Sequence, residues 1–409
     1  MKIVGSRLEH GFIRLFDKIY LYELVIFIYM NILQLGNLDV KYGGPALSLS
    51  LIMKGLREHG VETECLMEKV FETEKLIDDS LKVHYLQQVS LPALCSALTG
   101  KKNNYKLISS FDLLHIQGLW GMSTYYGSRY ARKYHKPYII SPRGTLYPKA
   151  LELHKWKKKL AMTTMMKESL KNADCIHATC AEERDYYWNL GFKNPVAILP
   201  NAFDFSKITR VEKSITDKFV VGYLGRLHPR KHVERLIYAF ADLREELEDA
   251  ELVIIGSDIP EYENFLKTEA RRLKLDNVIF TGFLTGVEKD KAIGSLSVMV
   301  LPSDFENFGN VVPDALARGV AVICSKGAPW QSLVSNNCGW WIDNSQEEIN
   351  KTILEVKSKT ADELLEMGKN GVKFVEDELS YKVLGKKIKR LYEWVIDGGE
   401  APEFVYFPK

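Results

Sequence analysis

Short apolar runs rich in β-branched residues alternate with longer amphipathic stretches along most of this chain. The alternation begins at residue 31 and is typical of a parallel sheet that helices cover on both faces. In the first half, the runs predicted as strands are 31–35, 62–66, 112–116, 137–141, 174–178 and 196–199. The alternation therefore predicts an α/β fold class.

A polar segment without strong periodicity, 203–218, divides the chain and is predicted to connect two domains. A second series of strand-like runs follows it, at 219–225, 251–256, 277–281, 297–301, 320–324 and 339–342. We predict two doubly wound, Rossmann-like domains, 30–202 and 219–380, that face a cleft where the strands end. Residues 381–409 are predicted to form a helix and an extended tail, and a return of this segment to the first domain is left open.

The N-terminal region contains an almost wholly apolar stretch, 19–35, which Glu23 interrupts. It is shorter than the roughly 20 apolar residues of a spanning helix, so we predict that it does not cross a bilayer. No small-residue cleavage site follows it, which argues against a signal peptide. Residues 1–29 are predicted to be a helix-like extension before the first strand; a true start at Met30 and interfacial membrane attachment are the alternatives.

Composition and missing motifs narrow the function classes. The formal net charge of +2 disfavours a nucleic-acid partner, and six scattered cysteines without a C-x-x-C motif suit reduced thiols in a cytoplasm. Neither G-x-G-x-x-G nor the nucleoside-triphosphate loop is present, and H-E-x-x-H and G-x-S-x-G are missing too. Simple dehydrogenase, kinase and esterase functions are therefore disfavoured, and neither a metal site nor a bound cofactor is expected.

The segment after residue 301 has the features of an anion site. A strand, a glycine turn and a helix start present free backbone amides and the positive end of a helix dipole. Glu306 and Asp314 bracket this stretch, so it suits a diphosphate with hydroxylated rings on both sides. The alternative interpretations are a solvated loop acid for Glu306 and a partner of the helix dipole for Asp314. The bracketed amides are those of Phe308, Gly309, Asn310 and Val311.

Two further segments could approach the same phosphates. Gly225 ends a strand, and Arg226 and Lys231 follow it, so that two cations five residues apart can converge on one phosphate pair. Gly43 and Gly44 follow the first strand and remove side chains where the chain turns. A solvated basic loop and a simple turn are the respective alternatives.

Together these motifs resemble glycosyltransferase family 4, whose members are retaining enzymes of the GT-B fold that use nucleotide-diphosphate sugars. The resemblance is strongest in residues 219–343, where the Gly-Arg-Leu…Lys element and a segment similar to the family's E-x7-E motif occur in order. Weaker counterparts extend it over most of residues 30–390. It implies a nucleotide-sugar donor, transfer without a metal ion, and a glycan or lipid-linked glycan acceptor in cell-envelope polysaccharide synthesis.

The resemblance also implies roles for the phosphate-site residues. Arg226 and Lys231 would neutralise the leaving diphosphate against the amides that begin at Phe308, and Glu306 would hold the transferred sugar. Asp314 stands where the family has a second glutamate that grips the ribose, and its shorter side chain leaves that contact open to a water bridge or to loss.

In the first half, the resemblance implies that Gly44 lets the backbone approach the donor phosphate and that Arg143 and Asn201 face the cleft. Two family glycines are replaced, one by Ala202 after Asn201 and one by His232 after Lys231.

The clearest departure lies at the end of the third predicted strand, 112–116. Many relatives have His-x-His there, whereas this chain has His115 followed by Gln117, which cannot transfer a proton. We place His115 in the cleft, with a buried core histidine as the alternative and Gln117 as the other candidate to face the cleft. Trp120 is assigned to sugar stacking, against the alternative of a buried aromatic.

A basic amphipathic stretch suggests how an acceptor is reached. Lys155, Lys157, Lys158 and Lys159 surround Trp156, which suits peripheral contact with an anionic membrane; a solvated helix face is the alternative. Two functions other than transfer are kept open. These are a nucleotide-sugar epimerase of the same architecture and a nucleotide-sugar-binding module without catalytic activity.

Overall fold

The computed structural model describes residues 30–68, 75–86, 107–209 and 218–408. The predicted N-terminal extension and residues 210–217 of the predicted connector, half of its length, lie outside the described residues. The rest forms two layered α/β units, one built on an eight-stranded and one on a six-stranded sheet.

The first sheet is parallel except at one edge. Its strands follow one another as β1 Asn31–Leu35, β2 Glu62–Glu68, β3 Val83–Leu86, β4 Leu113–Gln117, β5 Tyr138–Ser141, β6 Cys175–Ala178, β7 Val196–Ile198 and β14 Val405–Tyr406. Their order across the sheet is β14-β7-β6-β5-β4-β1-β2-β3, and β14 pairs antiparallel with β7. The central strands β4, β5 and β6 are buried almost throughout, because helices cover both faces.

Helices connect these strands. They are α1 Gly44–Glu58, α2 Met122–Lys133, α3 Pro148–Glu152, α4 Lys155–Ala161, α5 Lys167–Lys171 and α6 Ala181–Asn189. A π-helical segment, Met162–Met166, joins α4 to α5, and 3-10 turns lie at Val40–Tyr42 and Phe205–Lys207. Proline in the first turn of α1 fits a helix start, because it has no amide hydrogen to leave unpaired.

The second sheet is wholly parallel. Its strands are β8 Val220–Leu224, β9 Glu251–Ile255, β10 Val278–Gly282, β11 Val298–Leu301, β12 Ala321–Ser325 and β13 Gly339–Ile342. They lie in the order β10-β9-β8-β11-β12-β13. The change of direction between β8 and β11 is a topological switch point, the place where sheets of this kind bind ligands.

The second unit carries its own helices and core. These are α7 Glu234–Asp242, α8 Pro260–Arg272, α9 Gly286–Gly294, α10 Val311–Leu316, α11 Ser332–Ser335, α12 Gln346–Lys357 and α13 Ala361–Phe374. A 3-10 turn, Pro229–Lys231, precedes α7, and a π-helical segment, Val375–Leu379, follows α13. One apolar cluster joins these helices to the six strands, so the second unit has a core separate from that of the first.

The last helix, α14 Tyr381–Asp397, leaves the second unit and packs on the first. Its contact with α1 is close at two glycines. A Cβ atom on Gly55 would lie 2.2 Å from the carbonyl oxygen of Tyr381, and a Cβ atom on Gly385 would lie 2.4 Å from the Gly55 backbone. The segment after α14 supplies β14 at the edge of the first sheet. The chain therefore crosses between the units twice.

All twelve predicted runs contain a strand, so the predicted α/β class is confirmed. The sequence pattern did not predict β3 or β14 as strands. Both lie at the edges of the first sheet, where strands are short and need little apolar sequence.

Candidate active site

A cleft of about 690 Å³ separates the two units at the carboxyl ends of their strands. Its volume lies within the roughly 300–1,000 Å³ of small-molecule sites. The first unit contributes Leu47, Ser48 and Leu51 of α1 together with residues 202–208 near the crossover. The second unit contributes Gly225, Arg226, Gly256, Asp258, Phe283, Gly286, Lys289, Asn310, Val311 and Asp314.

Lys231 and Glu306 form a buried ion pair. Lys231 ends the 3-10 turn after β8, and Glu306 lies on the loop after β11. The exposed fractions of the two side chains are only 10% and 11%. The amide of Glu306 donates to the carbonyl oxygen of Gly327 at 2.8 Å, which fixes its backbone. The sequence predicted that these two residues share a site, and the structure places them in contact, although neither is among the residues that line the cleft.

Burial lowers the pKa of the Lys231 ammonium, and the adjacent Glu306 carboxylate partly offsets that effect. The charges of Arg230 and Arg226 lower the same pKa further. Arg226 and Lys231 therefore lie close enough to influence one another electrostatically. A dianionic ligand between them would be attracted by both cations.

Arg226 is the accessible cation of the site. Its side chain is 62% exposed, and one guanidinium nitrogen lies 3.7 Å from Asp258. The strand end that carries it needs glycine, because Gly225 has a φ of 144° and a Cβ atom on Gly256 would lie 1.9 Å from the Gly225 oxygen. The wall of the cleft is thus formed by backbone beside an exposed guanidinium group.

The loop before α10 meets the first unit at the cleft. Gly309 adopts a φ of 84°, and the Phe308 carbonyl oxygen accepts a hydrogen bond from Trp330 Nε1. The Asn310 side chain accepts from Asn201 Nδ2 at 3.0 Å. A Cβ atom on Gly44 would lie 3.0 Å from Asn310 Nδ2, so the start of α1 approaches this loop closely.

Gly43 precedes that helix start with a φ of 60°, and a Cβ atom there would meet no atom within 4 Å. The glycine pair therefore serves two needs, left-handed backbone at Gly43 and close approach at Gly44. Val311, the first residue of α10, lines the cleft. The amides at this helix start thus lie at the wall of the cleft.

Asp314 lies in the first turn of α10 and lines the cleft. Its carboxylate is held by Lys289 Nζ at 2.7 Å and by the Arg318 guanidinium at 3.1 Å. Arg318 also pairs with the buried Asp290. The short acid at this position is therefore fixed by two cations, of which sequence analysis identified neither.

His115 does not lie in the cleft, so that prediction is wrong. The side chain is fully buried, with Nδ1 2.7 Å from the Tyr392 hydroxyl and Nε2 2.8 Å from Ser141 Oγ. Burial, with further effects of His177 and Arg143, holds the pKa of His115 well below its usual value. The imidazole is therefore neutral and serves the core of the first unit, which was the alternative interpretation.

Arg143 and Gln117 form hydrogen bonds with one another at the carboxyl end of β4. Two guanidinium nitrogens of Arg143 donate to Gln117 Oε1 at 2.6 Å and 3.1 Å. A third donates to Asn201 Oδ1 at 2.6 Å and to Ser48 Oγ at 2.9 Å. Burial lowers the pKa of Arg143 to about 10, although the charge of Glu183 opposes this effect. Arg143 thus links β4, α1 and the crossover beside the cleft.

Trp120 packs against the core of the first unit and is not among the residues that line the cleft. Its Nε1 is buried and has no hydrogen-bond partner among the described residues, and Lys158 Nζ lies 5.7 Å from the ring centroid. The expected role in sugar stacking within the cleft is therefore not supported by its position.

Two aromatic residues that line the cleft, Phe203 and Phe283, were not predicted from the sequence as site residues. Phe283 follows Gly282 at the end of β10, and it is 75% exposed. An apolar residue directly after a strand-ending glycine was a usable signal, because such a residue lies at the ligand-binding edge of a parallel sheet.

The loop that carries Glu306 contacts both units. The Phe305 ring lies 4.6 Å from that of Tyr147, and the Thr179 hydroxyl donates to the Asn307 carbonyl oxygen at 3.2 Å. A Cβ atom on Gly144 would lie 2.8 Å from Asn307 Cβ. The position of Glu306 thus depends on how the two units meet.

Within the described residues, no group of three or more His, Cys, Asp or Glu side chains could hold a metal ion. None of the helices in that part of the chain combines the length and the apolarity needed to cross a bilayer.

Family models match most of the chain. The model described as Glycosyltransferase Family 4 matches residues 42–207, and the model for glycosyl transferases group 1 matches residues 204–374. A GDP-mannose-dependent alpha-mannosyltransferase of Mycolicibacterium smegmatis is 36% identical over 120 residues, 28% of each chain. The capsular polysaccharide biosynthesis glycosyltransferase CapM of Staphylococcus aureus is 27% identical over 245 residues, 57% of this chain and 62% of CapM. The chain therefore aligns with less than two thirds of the length of either relative.

Solved structures share the fold. HepE from Anabaena, in complex with UDP and glucose, superposes with a TM-score of 0.70 at 18% identity, over 88% of this chain and 99% of HepE. The two consecutive family models meet at the crossover between the sheets, so each unit of the fold matches its own model. The chain belongs to the family 4 glycosyltransferases and has their GT-B fold.

Proposed function

We propose that this chain is a retaining glycosyltransferase that moves a sugar from a nucleotide-diphosphate sugar to a glycan or lipid-linked glycan acceptor. The observation that carries the proposal is the buried Lys231–Glu306 pair, which lies within electrostatic reach of exposed Arg226. Arg226 and the start of α10 line the cleft between the two Rossmann-like units. Cations and helix amides suit a diphosphate leaving group, and carboxylates suit sugar hydroxyls.

The chemistry assigned to these groups is charge stabilisation. As the bond between the sugar and the diphosphate breaks, negative charge grows on the leaving oxygen, and Arg226 and Lys231 stabilise it. The acceptor's hydroxyl oxygen bonds to the anomeric carbon on the face that the diphosphate leaves, and the leaving oxygen takes the hydroxyl proton, so the configuration is retained. Glu306 then faces the electron-poor sugar once the diphosphate has drawn Lys231 away. These steps assign no role to a metal ion.

The relatives support a nucleotide-sugar donor without agreeing on its base. HepE is in complex with UDP and glucose, whereas the Mycolicibacterium relative is named for GDP-mannose. CapM is named for capsular polysaccharide biosynthesis, which is the support for a cell-envelope pathway. We propose a donor of one of these two classes.

A donor screen tests the proposal. UDP-sugars and GDP-sugars are added separately, and the shift in melting temperature is measured; a ligand at 100 times its dissociation constant adds about 2.7 kcal/mol of stability. The stabilising donor is then incubated with and without an acceptor library. Transfer supports the proposal. An epimerised donor without acceptor supports an epimerase, and binding without turnover supports a non-catalytic module.

We also propose that the protein reaches its acceptor at an anionic membrane surface, from the cytoplasmic side. Leu153, Trp156 and Leu160 are 64%, 69% and 58% exposed on one short segment of the first unit. Lys155, Lys157 and Lys159 lie between them, and no acidic residue occurs from residue 153 to 167. Apolar side chains flanked by cations complement an anionic lipid surface.

Liposome flotation tests this contact. The protein is expected to float with vesicles that contain phosphatidylglycerol and to stay unbound with pure phosphatidylcholine. Trp156→Glu is expected to abolish flotation without changing the melting temperature. Val334→Glu, at a position 58% exposed on the second unit, is the matched control and should float normally. Equal binding to both vesicle types would contradict the proposal.

A further inference from the structure

Two neighbouring ion pairs join the turn after β8 to the loop after β11. Lys231 pairs with Glu306, and the next residue, His232, places Nε2 2.7 Å from Asp304 Oδ2. The Asp304 amide also donates to the Arg230 carbonyl oxygen at 3.2 Å. Lys231–Glu306 and His232–Asp304 together are called the double ion pair below.

The His232 ring lies between two carboxylates. Its Nδ1 is 2.9 Å from Glu234 Oε1, while its Nε2 contacts Asp304. An ionised carboxylate only accepts hydrogen bonds, and a neutral imidazole donates from one nitrogen alone. Both contacts are hydrogen bonds only when His232 is an imidazolium ion.

The backbone conformation of His232 also needs stabilising contacts. Its φ of 50° lies in the left-handed region, which side chains other than glycine rarely adopt. Such a conformation persists where surrounding contacts stabilise it, and it occurs often at functional sites. The contacts of the ring with Glu234 and Asp304 are the stabilising interactions here.

Other charges surround these carboxylates. Lys149 of the first unit lies 3.9 Å from the same oxygen of Asp304, and the Tyr262 hydroxyl donates to Glu234. Burial raises the pKa of Asp304, but His232, Lys149 and Arg235 outweigh it and leave that pKa below its usual value. Asp304 is therefore ionised and can form an ion pair with a cation.

We propose that protonated His232 is a positioning residue for sugar transfer, because it keeps the Glu306 loop beside the Lys231 turn through Asp304. This inference rests on the proposed function. When the donor diphosphate draws Lys231 away from Glu306, the first half of the double ion pair opens. The contact of His232 with Asp304 then holds the loop, so that Glu306 stays against the sugar.

The test uses His232→Gly, since glycine adopts the same backbone conformation and donates no side-chain hydrogen bond. The variant is expected to keep the wild-type melting temperature and the wild-type affinity for the nucleoside diphosphate product. Its kcat is expected to fall by up to about 100-fold, the loss that a displacement of a catalytic group by about 1 Å can cause. His232→Asn, which tolerates left-handed backbone and retains one donor, should fall between the two.

The split between kcat and affinity separates positioning from a structural role. A structural defect in His232→Gly would lower the melting temperature and the affinity for the nucleoside diphosphate together with kcat. His228→Asn is the matched control, because His228 belongs to the same turn and caps the Arg230 amide at 3.2 Å through a contact that asparagine reproduces. It should keep the wild-type kcat. A His232→Gly variant with wild-type kcat, or one whose affinity for the nucleoside diphosphate falls as much as its kcat, overturns the inference.

Failure of the proposed function is recognisable by itself. If the wild type transfers sugar from no UDP- or GDP-sugar, the proposed function fails. If the wild type transfers sugar and Lys231→Ala does not, but His232→Gly equals the wild type, only the positioning role fails.

Discussion

The carboxyl ends of the two sheets carry similar polar residues and use them differently. At the second sheet, Lys231, Glu306 and Arg226 lie on loops at the interface of the two units. At the first sheet, His115 and Gln117 point into a hydrogen-bonded network that reaches the C-terminal helix. A polar residue at a strand end is thus available to a ligand only where no later element of the chain covers it.

The largest expected effect concerns the second sheet. Lys231→Ala or Arg226→Ala should reduce turnover about 100-fold or more, since removing one preorganised donor costs about 2.7–4 kcal/mol in the barrier. Initial transfer rates measure the loss, and circular dichroism verifies the fold. Lys369→Ala, at an exposed lysine of the same unit, is the control. Wild-type transfer rates in Lys231→Ala and Arg226→Ala would contradict a role in transfer for the polar residues of the second sheet.

A smaller effect is expected at the first sheet, and on stability rather than on rate. Tyr392→Phe removes a hydroxyl that lies 2.7 Å from His115 Nδ1 and accepts from Gln34 Nε2 at 3.0 Å. Leaving buried groups unpaired should lower the free energy of unfolding by about 1–3 kcal/mol. Urea denaturation measures this loss in the free energy of unfolding, and Tyr406→Phe, at an exposed tyrosine, is the control. A large loss of turnover with unchanged stability would place this network in catalysis instead.

The pH dependence of stability tests whether His177 of the first sheet is buried in its neutral form. Burial, with a further effect of Arg143, lowers the pKa of His177 to about 3 from its usual 6.5. Below pH 6.5 the unfolded chain therefore takes up a proton that the folded chain does not. The free energy of unfolding should fall as the pH drops from 6.5 towards 3, by at most about 1.4 kcal/mol per pH unit from this group.

Urea denaturation between pH 7.5 and pH 5 tests this expectation. His177→Gln should show a shallower decline than the wild type, because its side chain takes up no proton in either state. Identical slopes would mean that the histidines of the first sheet are not buried in neutral form.

Removal of metal ions is expected to have the smallest effect on the transfer rate. Because the proposed mechanism assigns the diphosphate charge to Arg226 and Lys231, treatment with EDTA should leave the transfer rate unchanged. A rate that falls with EDTA and returns with Mg²⁺ or Mn²⁺ would show that the second sheet uses a metal ion as well.

Much of the fold followed from the sequence because its signals are local. Each apolar run that became a strand is bounded by turn residues, and the run at 339–342 coincides with β13. The edge strands Val83–Leu86 and Val405–Tyr406 lacked such a pattern. Their conformation depends on pairing with Glu62–Glu68 and Val196–Ile198, and that pairing has no local signature.

The second-sheet residues were predictable for the same reason. Gly225, Arg226 and Lys231 occur within one strand-to-helix connection, as do Glu306 and Asp314. The partner Lys289 was missed, because no local pattern links a residue of α9 to α10. Arg318 lies four residues after Asp314, so that partner had a local signal in its helical spacing.

By itself, the sequence determined the two-unit α/β architecture and the positions of the phosphate-site segments, since periodicity and turn chemistry act over a few residues. Only the tertiary structure decided which strand-end residues face the cleft. His115 is buried because Tyr392, 277 residues further along the chain, returns on the last helix to bind it. Lys231 meets Glu306 because β8 and β11 are neighbours in the sheet although distant in sequence. Contacts at such separations leave no trace in local residue patterns, and they determine which side chains remain available to a substrate.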